Sequence, residues 1–319
     1  MMTSKKKVVV LGATGFIGRN IAEKLAKLPE YKVYGVFHNS EPYYNKNIEF
    51  IKADLREFAD VNNVLNGKDI VIQAAATTSG SKDIRERPYL HVTDNAIMNS
   101  TILRSIIDHK VEQFIFTSCS VMYQSSESPL RERDFNASNE IKEQYFGVGW
   151  TKVYIEKMCE FYSRQSSTKF SVIRHSNIYG PYDKFDLDKS HVLGAMINKV
   201  MTCQSEHLDV WGDGTEGRDF LYIDDLVNFI VSVLEKQKDR FEIVNVGSGV
   251  LVTIKELVNK IIELSGKDID IVYNPSNKGI HTKISLNCNQ AKAKYGWRPD
   301  TSLTKGLQKT LSWFSSHYL

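Results

Sequence analysis

Three glycines in one turn are the first residues of this sequence whose types and spacing could do chemistry. Gly12, Gly15 and Gly18 follow the apolar run 8–11 and precede apolar residues at helical spacing. A glycine-rich turn between a strand and a helix lets the backbone approach a pyrophosphate, whose charge then lies at the helix N-terminus. The turn therefore predicts a dinucleotide site, with expected contacts at Gly12, Thr14, Gly15, Phe16, Ile17 and Gly18.

The end of the second predicted strand normally decides which dinucleotide is bound. An acidic residue there binds the ribose hydroxyls of NAD, whereas an arginine favours the 2′-phosphate of NADP. The position falls at His38 and Asn39, so neither mark is present, and a phosphate dianion without a guanidinium partner is poorly held. We therefore expect NAD, with NADP as the alternative, and we expect Asp54 to bind the adenine amino group.

Strands and helices that alternate along the first half of the chain must position this turn. Apolar runs near 8–11, 33–37, 50–51, 70–72 and 114–116 are typical of buried strands, and helical patterns lie between them at about 58–66 and 93–109. Strands that alternate with helices indicate a parallel sheet covered on both faces. The sequence predicts an α/β protein with a doubly wound parallel Rossmann sheet.

The second half of the chain lacks this regular alternation of strands and helices. The segment 180–190 is polar and turn-rich, 192–202 has a helical pattern, and Thr253 with Glu256 forms a capping box at the start of another helix. We expect residues 1–179 to form the dinucleotide-binding domain and 180–319 a smaller substrate-binding lobe. We also expect the segment 218–246 to return to the main sheet.

Composition excludes several classes of protein. Lys and Arg number 41 and Asp and Glu 38, and the resulting charge of +3 is too small for a polyanion binder. No apolar run approaches the roughly 20 residues of a membrane span. The four cysteines are scattered without C-x-x-C spacing, which argues against a disulfide framework or a zinc ribbon. We expect a cytoplasmic enzyme with no nucleic-acid partner, no membrane partner and no bound metal.

Short motifs along nearly the whole chain point to a known family. Beyond the glycine turn they are Ala53-Asp54-Leu55, Ala74-Ala75-Ala76, Asn95 with Asn99, Ser118 to Tyr123, Lys152, Ile178-Tyr179-Gly180-Pro181, Arg218-Asp219-Phe220, Asp224-Asp225, Asn245-Val246-Gly247-Ser248-Gly249 and Tyr295-Gly296-Trp297-Arg298-Pro299. With these motifs the sequence resembles the extended short-chain dehydrogenases, the NAD-dependent epimerase/dehydratase family of nucleotide sugars. The resemblance adds five expected cofactor contacts, Leu55, Ala74, Ala75, Ala76 and Lys152.

Within that family, the segments 180–185 and 190–192 look most like those of the GDP-fucose synthases, which epimerise and reduce a GDP-4-keto-6-deoxymannose. The resemblance implies a GDP-linked sugar as substrate. Lysine and arginine would balance its diphosphate, and a tryptophan would stack on its base or pack its sugar. The implied substrate contacts are Asn177, His191, Val192, Lys199, Trp211, Arg218 and Lys283.

The resemblance also implies a homodimer or a higher homo-oligomer. Such enzymes pack the helix that carries Lys152 and the helix from Asn95 against their copies. The apolar residues of these helices suit such an interface and suit a core equally; they are Ile97, Ile102, Tyr154 and Met158.

The sequence departs from the family at the residues that move protons. The family places a tyrosine four residues before the lysine, and here that position is Val148, which cannot transfer a proton. The family's Ser/Thr hydroxyl falls at Cys119, and the cysteine used for epimerisation falls at Val121. Tyr145 lies three residues before Val148, a spacing that shares one helix face. The candidate catalytic residues are therefore Lys152, Cys119, Ser120, Tyr145 and His191.

Three functions remain open at this point. The first is a GDP-sugar oxidoreductase, a 4-dehydrogenase or 4-reductase of bacterial surface-sugar biosynthesis, that transfers hydride between NAD(P) and a sugar carbon with an altered proton-transfer site. The second is the bifunctional GDP-4-keto-sugar 3,5-epimerase/4-reductase. The third is a catalytically silent protein that binds the dinucleotide and the sugar nucleotide. A positioned general base contributes roughly 10² to 10⁴ in rate, so the missing groups argue against an unmodified synthase.

Overall fold

Seven parallel strands form the main sheet, as the alternating pattern predicts. The structure, a computed structural model, describes residues 4–77, 88–274 and 280–319. Its strands are β1 (Lys6–Leu11), β2 (Tyr31–Phe37), β3 (Ile48–Lys52), β4 (Ile70–Gln73), β5 (Gln113–Cys119), β6 (Lys169–His175), β7 (Asn177–Tyr179), β8 (His207–Trp211), β9 (Gly217–Arg218), β10 (Phe220–Tyr222), β11 (Phe241–Val246), β12 (Val252–Thr253), β13 (Asp270–Asn274) and β14 (Lys283–Ile284). Its helices are α1 (Phe16–Leu25), α2 (Phe58–Leu65), α3 (Pro88–Asp108), α4 (Phe146–Gln165), α5 (Val192–Thr202), α6 (Ile223–Lys236), α7 (Ile254–Ser265), α8 (Asn289–Tyr295) and α9 (Leu303–Tyr318).

The strand order places the glycine turn at the centre of the main sheet. The order is β11-β6-β5-β4-β1-β2-β3, and every neighbouring pair is parallel. The direction of winding reverses between β1 and β4, and open α/β sheets bind their ligands outside the carboxyl ends of the strands at such a switch. Because β1 ends at Leu11, the turn that begins with Gly12 lies at this crevice.

Two separate cores cover the two faces of the sheet, which explains why β1 is apolar without interruption. Val8 and Val10 pack with α1 and α6, whereas Val9 and Leu11 pack with α2, α3 and α4. Successive side chains of a strand point to opposite faces. A strand that is covered on both sides therefore needs apolar residues at every position, and all four of these side chains are fully buried.

The second half of the chain builds small sheets beside the carboxyl edge of the main sheet. β7 pairs with β10, β8 with β13, and β9 with both β12 and β14. The predicted capping box is present: the Thr253 hydroxyl accepts from the Glu256 amide at 3.1 Å, and the Glu256 carboxylate accepts from the Thr253 amide at 2.7 Å. β11 pairs with β6, so the chain returns to the main sheet at 241–246, whereas β9 and β10 lie in the small sheets. Among the described helices, none is long and apolar enough to cross a membrane.

A buried ion pair joins α4 to the main sheet. Arg174 of β6 and Glu156 of α4 approach to 2.6 Å, with side chains 4% and 2% exposed. The Ser118 hydroxyl of β5 donates to the same carboxylate at 2.7 Å. Arg174 also donates to the Tyr123 hydroxyl at 2.9 Å, and that hydroxyl donates to Asn245 of β11 at 2.8 Å. The network therefore links one helix to three neighbouring strands.

Breaking this pair should destabilise the protein strongly. Arg174→Met would leave the Glu156 carboxylate buried without its cation, and we expect the free energy of unfolding to fall by about 3–5 kcal/mol in urea denaturation. Arg164→Met provides the control, because Arg164 pairs with Glu160 while its side chain is 70% exposed, and exposed pairs contribute little. Equal losses in the two variants would contradict this assignment.

Candidate active site

The glycine turn has the geometry of a phosphate cradle. Gly12 adopts φ +78°, and a Cβ atom on it would lie 2.7 Å from the Ala75 Cα. A Cβ on Gly18 would lie 2.1 Å from the Gly12 carbonyl oxygen. Helix α1 begins directly after Gly15 with no side-chain cap and no acidic residue in its first turn. Its amide groups at that end suit an anion, so these residues fit the pyrophosphate of a dinucleotide.

The residues expected at the adenosine end lie next to one another. His38 and Asn39 are exposed after β2, and the His38 imidazole lies 3.6 Å from the Asp54 carboxylate. Arg56 donates to both oxygens of Asp54, at 3.0 and 2.7 Å, and this contact holds the pKa of Asp54 at about 2. Arg56 was not predicted at this site, although its position two residues after Asp54 on the loop that follows β3 could have indicated it. The adenine contact of Asp54 remains a prediction.

The remaining predicted cofactor residues line the same crevice. Leu55 is buried, and Thr14, Phe16 and Ile17 are partly buried at the turn. The segment 74–76 follows β4, where the Ala74 amide donates to the Leu11 carbonyl at 3.1 Å. This segment packs directly against the turn through Ala75.

Lys152 and Cys119 meet at the carboxyl end of β5. The Lys152 ammonium donates to the Thr117 carbonyl at 3.1 Å and lies 4.6 Å from the centre of the Phe116 ring. Burial lowers the pKa of Lys152, although the neighbouring Cys119 and Glu156 oppose the shift. Burial raises the pKa of the Cys119 thiol, opposed by the charge of Lys152. The lysine is therefore held beside a protonated thiol.

Tyr145 reaches this cluster by a different route from the one that the sequence predicts. The prediction that Tyr145 shares a helix face with Val148 is wrong, because Tyr145 ends the 3₁₀ turn Glu143–Tyr145 and α4 begins only at Phe146. The Tyr145 hydroxyl nevertheless lies close to the guanidinium of Arg218 and to Cys119. Burial raises the pKa of Tyr145, and the guanidinium of Arg218 opposes that shift.

Two glycines bring the start of α4 close to its neighbours. A Cβ on Gly147 would lie 2.8 Å from a methyl group of Val92 on α3, and a Cβ on Gly149 would lie 3.0 Å from the Ile141 side chain. Val148 lies between them and is partly buried. This close packing holds the turn that carries Tyr145 against the end of β5.

Two histidines complete the cluster. His175 ends β6, directly beside Cys119 in the sheet register, and its Nδ1 donates to the Ser176 carbonyl at 2.8 Å. Burial lowers the pKa of His175 to about 4, and the nearby Lys152 and His191 contribute in the same direction. His191 is exposed directly before Val192, the first residue of α5, and partial desolvation by the surrounding protein, together with the charge of Lys184, lowers its pKa. His175 was not predicted, although its place at the end of a strand next to β5 is a signal that strand pairing would have supplied.

Ser120 and Asn177 are held by the backbone around them. Ser120 is buried, and its carbonyl accepts from the Tyr123 amide at 3.1 Å. The Asn177 side chain donates to the Asp219 carbonyl at 3.2 Å, where β7 lies beside β10.

The predicted substrate cations fall into two groups. Lys199 donates to the Asp209 carbonyl at 3.0 Å and lies 5.7 Å from the ring of Trp211, which is 46% exposed. Lys283 lies on β14 beside β9 and pairs with Glu127 at 2.8 Å. Arg218, on β9, donates to the carbonyls of residues 280 and 282 at 2.6 and 2.5 Å. The structure therefore unites Lys199 with Trp211, and Lys283 with Arg218.

The apolar residues considered for subunit contact are divided between surface and core. Ile97 and Tyr154 are 45% and 55% exposed, so they remain available for an interface. Ile102 is fully buried in the core between the sheet and its helices, so it does not belong to an exposed patch. Met158 is only partly exposed and packs against the same core. The homodimer remains a prediction.

The segment that carries His191 is clamped to α1 and contains an unusual carboxyl group. Arg19 of α1 lies between the rings of Tyr43 and Tyr182, at 4.0 and 3.7 Å from their centres. Asp183 follows with 6% exposure, and burial raises its pKa to about 7 despite a hydrogen bond from the Lys184 amide. Asp183 was not predicted as a site residue from the sequence.

The chain is similar to known proteins in both sequence and structure. The model of the NAD dependent epimerase/dehydratase family matches residues 8–247. GDP-L-fucose synthase from Sinorhizobium fredii is 30% identical over 98% of this chain and 96% of its own. GDP-L-colitose synthase from Yersinia pseudotuberculosis is 27% identical over 97% of each chain. The structure of UDP-glucose 4-epimerase with UDP-glucose from Thermotoga maritima has a TM-score of 0.86 and 28% identity, and covers 97% of this chain and 99% of its own.

The protonation of Asp183 should make stability depend on pH in a defined direction. Its pKa of about 7 in the folded protein lies above the ordinary value of 3.8, so the folded state binds a proton that the unfolded chain has released. The resulting stability is fully present below about pH 4 and is lost as the pH rises through about 7.

We therefore expect Asp183→Asn to abolish part of the loss of stability between about pH 4 and pH 7, as measured by urea denaturation. Asparagine keeps the acceptor for the Lys184 amide and has no charge to bury. Asp268→Asn, at an exposed carboxylate, should follow the wild-type curve. A pH dependence identical in all three proteins would show that Asp183 is already ionised in the folded state.

Proposed function

This chain belongs to the NAD dependent epimerase/dehydratase family, and we propose that it is a GDP-sugar oxidoreductase acting at the sugar C4 carbon. As members of this family it and its relatives are NAD-dependent enzymes of nucleotide sugars. The observation that carries the proposal is the meeting of Tyr145, Cys119 and Lys152 at the carboxyl end of β5. We take NAD as the cofactor and NADP as the alternative.

The chemistry divides between the cofactor and the chain. A bound nicotinamide would supply the hydride chemistry, either the oxidation of a C4 alcohol or the reduction of a 4-ketone. The chain must then accept the hydroxyl proton in the first direction, or supply it in the second. Val148 has no such group, whereas the Tyr145 hydroxyl has one and lies beside a guanidinium that favours its anion. Tyr145 is therefore assigned the proton transfer.

Cys119 and Lys152 have supporting roles in this proposal. The Cys119 thiol stands where the family has a hydroxyl and offers a weak S–H donor to the sugar oxygen. Lys152 would hold the ribose hydroxyls of the dinucleotide, since its ammonium is fixed at the end of β5 by the Thr117 carbonyl. The pKa values of His175 and His191 are both lowered, which favours the neutral imidazoles, and a neutral imidazole can accept a proton from the site.

A guanosine diphosphate sugar is the substrate class that we propose. Two relatives are named for GDP-sugars, whereas the structural relative was solved with UDP-glucose. The identity of the nucleobase therefore needs testing. Trp211 is exposed beside Lys199, and an indole face next to a cation suits a base that carries a diphosphate. The four unpaired cysteines agree with a reducing cytoplasm. We place the reaction there, in bacterial surface-sugar biosynthesis.

The bifunctional epimerase/reductase is the alternative, and the relative named GDP-L-fucose synthase favours it. Epimerisation beside a 4-keto group needs a base on one face of the sugar and an acid on the other. His191 could serve on one side, but Val121 cannot serve on the other. Incorporation of solvent deuterium beside the keto group would support this alternative. It would contradict our inference that Val121 leaves the site without the second group that epimerisation needs.

The proposed reaction can be tested with purified protein and matched pairs of GDP- and UDP-hexoses. We expect oxidation or reduction of the nicotinamide, followed by absorbance under single-turnover conditions, with a GDP-sugar and much less with its UDP counterpart. Equal changes in nicotinamide absorbance with the GDP- and UDP-sugars would contradict the proposed preference for guanine. Tight binding of dinucleotide and sugar nucleotide without any redox signal would contradict the proposed activity.

The role of Tyr145 can be tested separately. Tyr145→Phe removes only the hydroxyl, and we expect kcat to fall by about 10² to 10⁴ with little change in KM. Tyr154→Phe is the matched control, because Tyr154 lies on α4 with 55% of its surface exposed, and it should retain wild-type kcat. An unchanged kcat in Tyr145→Phe, together with a fall of kcat in Cys119→Ala, would show that the Cys119 thiol and not Tyr145 transfers the proton.

A further inference from the structure

Three side chains with metal-binding atoms meet outside the proposed catalytic cluster. They are Asp213 and Glu216, in the turn between β8 and β9, and His281, just before β14. One ligand atom from each lies within 4.8 Å of the other two. The group combines one nitrogen and two carboxylate donors, and this set suits a small divalent transition metal.

Glu216 provides the second and independent observation. Its side chain is 5% exposed, and its Oε2 atom has no hydrogen-bond partner among the residues that the structure describes. A buried carboxylate oxygen without a donor is unfavourable, because burial removes its hydration and nothing replaces it. A cation bound between Glu216 and its two neighbours would supply the missing partner.

The turn is shaped to bring the carboxylates together. Gly212 and Gly214 flank Asp213 with φ of +81° and +76°, a region that other residues rarely adopt. A Cβ on Gly212 would lie 2.7 Å from the Glu216 Oε1 atom, so glycine is what leaves room for that carboxylate. The Thr215 amide and hydroxyl donate to Asp213 Oδ1 at 2.9 and 2.6 Å, which orients the Asp213 side chain.

His281 is anchored on both sides by the backbone. Arg218 donates to the carbonyls of residues 280 and 282, and the Lys142 ammonium donates to the carbonyl of His281 itself. β14 then pairs with β9, which carries Arg218. The His281 side chain is exposed, so an ion can enter from solvent while the buried Glu216 closes the inner side.

We propose that Asp213, Glu216 and His281 bind one divalent first-row transition metal ion, with zinc as the best fit. Bonds of about 2.0–2.2 Å require the ligand atoms to lie within roughly 4.4 Å of one another, so a small closure of the side chains forms the site. Magnesium and calcium are poorer candidates, because both prefer oxygen ligands. The ion would tie the turn 212–217 to the segment before β14 and so brace Arg218.

The site is tested on the full chain after removal of metals with a chelator. We expect ZnCl₂ to raise the melting temperature, and calorimetric titration to give one zinc site per chain, whereas MgCl₂ has little effect. Glu216→Gln and His281→Ala should each weaken zinc binding by more than about tenfold, since even indirect partners of metal ligands contribute 10- to 100-fold. His317→Ala changes another exposed histidine, on α9, and should bind zinc as the wild type does.

The variants also separate metal binding from misfolding. Without metal, Glu216→Gln should melt above the wild type, because the buried charge is gone; His281→Ala, at an exposed side chain, should melt near it. If Glu216→Gln fails to fold, His281→Ala alone decides the question. Persistence of the zinc response in His281→Ala, an equal response to magnesium, or no response at all would overturn the proposal. None of these readouts depends on the proposed enzymatic activity.

Discussion

The buried pair of Arg174 and Glu156 is the interaction on which the geometry of the proposed catalytic cluster depends. Glu156 lies one helical turn after Lys152 on α4, so fixing its carboxylate to β6 also fixes where the lysine ammonium points. The Ser118 hydroxyl binds the same carboxylate and stands one residue before Cys119. One ionic contact therefore fixes α4, which carries Lys152, against β5, which carries Cys119, the two residues proposed to share the site. Its rigidity comes from full burial, which makes any rearrangement expose a charge to an apolar core.

Burial also gives the cluster a common electrostatic character. It raises the pKa of the Cys119 thiol and the Tyr145 phenol, and it lowers the pKa of Lys152 and His175. Each shift favours the uncharged form, as expected where water is displaced by protein. A hydride transfer in such surroundings leaves few charges to be reorganised. Arg218, which lies near the Tyr145 hydroxyl, is the cation that would stabilise negative charge on that oxygen in the proposed proton transfer.

The sequence predicts the elements of this fold better than the contacts between them. The continuous apolar run of β1 and the Thr253 capping box are local patterns, and both are present. The approach of Tyr145 depends on a 3₁₀ turn before α4, which helical periodicity cannot reveal. The place of His175 depends on which strand pairs with β5, and Ile102 is buried because both α3 and the sheet are apolar there. The cluster at Glu216 joins segments that are distant in the chain, so no local spacing indicates it.

The stacking of Arg19 between Tyr43 and Tyr182 connects α1 to the loop that follows β7. Arg19 lies in the first turns of α1, the helix whose N-terminus faces the phosphate cradle, and the neighbouring Asn20 donates to the carbonyl of Pro181 at 3.2 Å. The loop between β7 and α5 is thus attached to α1 through its first residues, Pro181 and Tyr182. The segment that leads to His191 is therefore joined directly to the helix that begins at the phosphate cradle, so the regions proposed to bind the sugar and the dinucleotide are in physical contact.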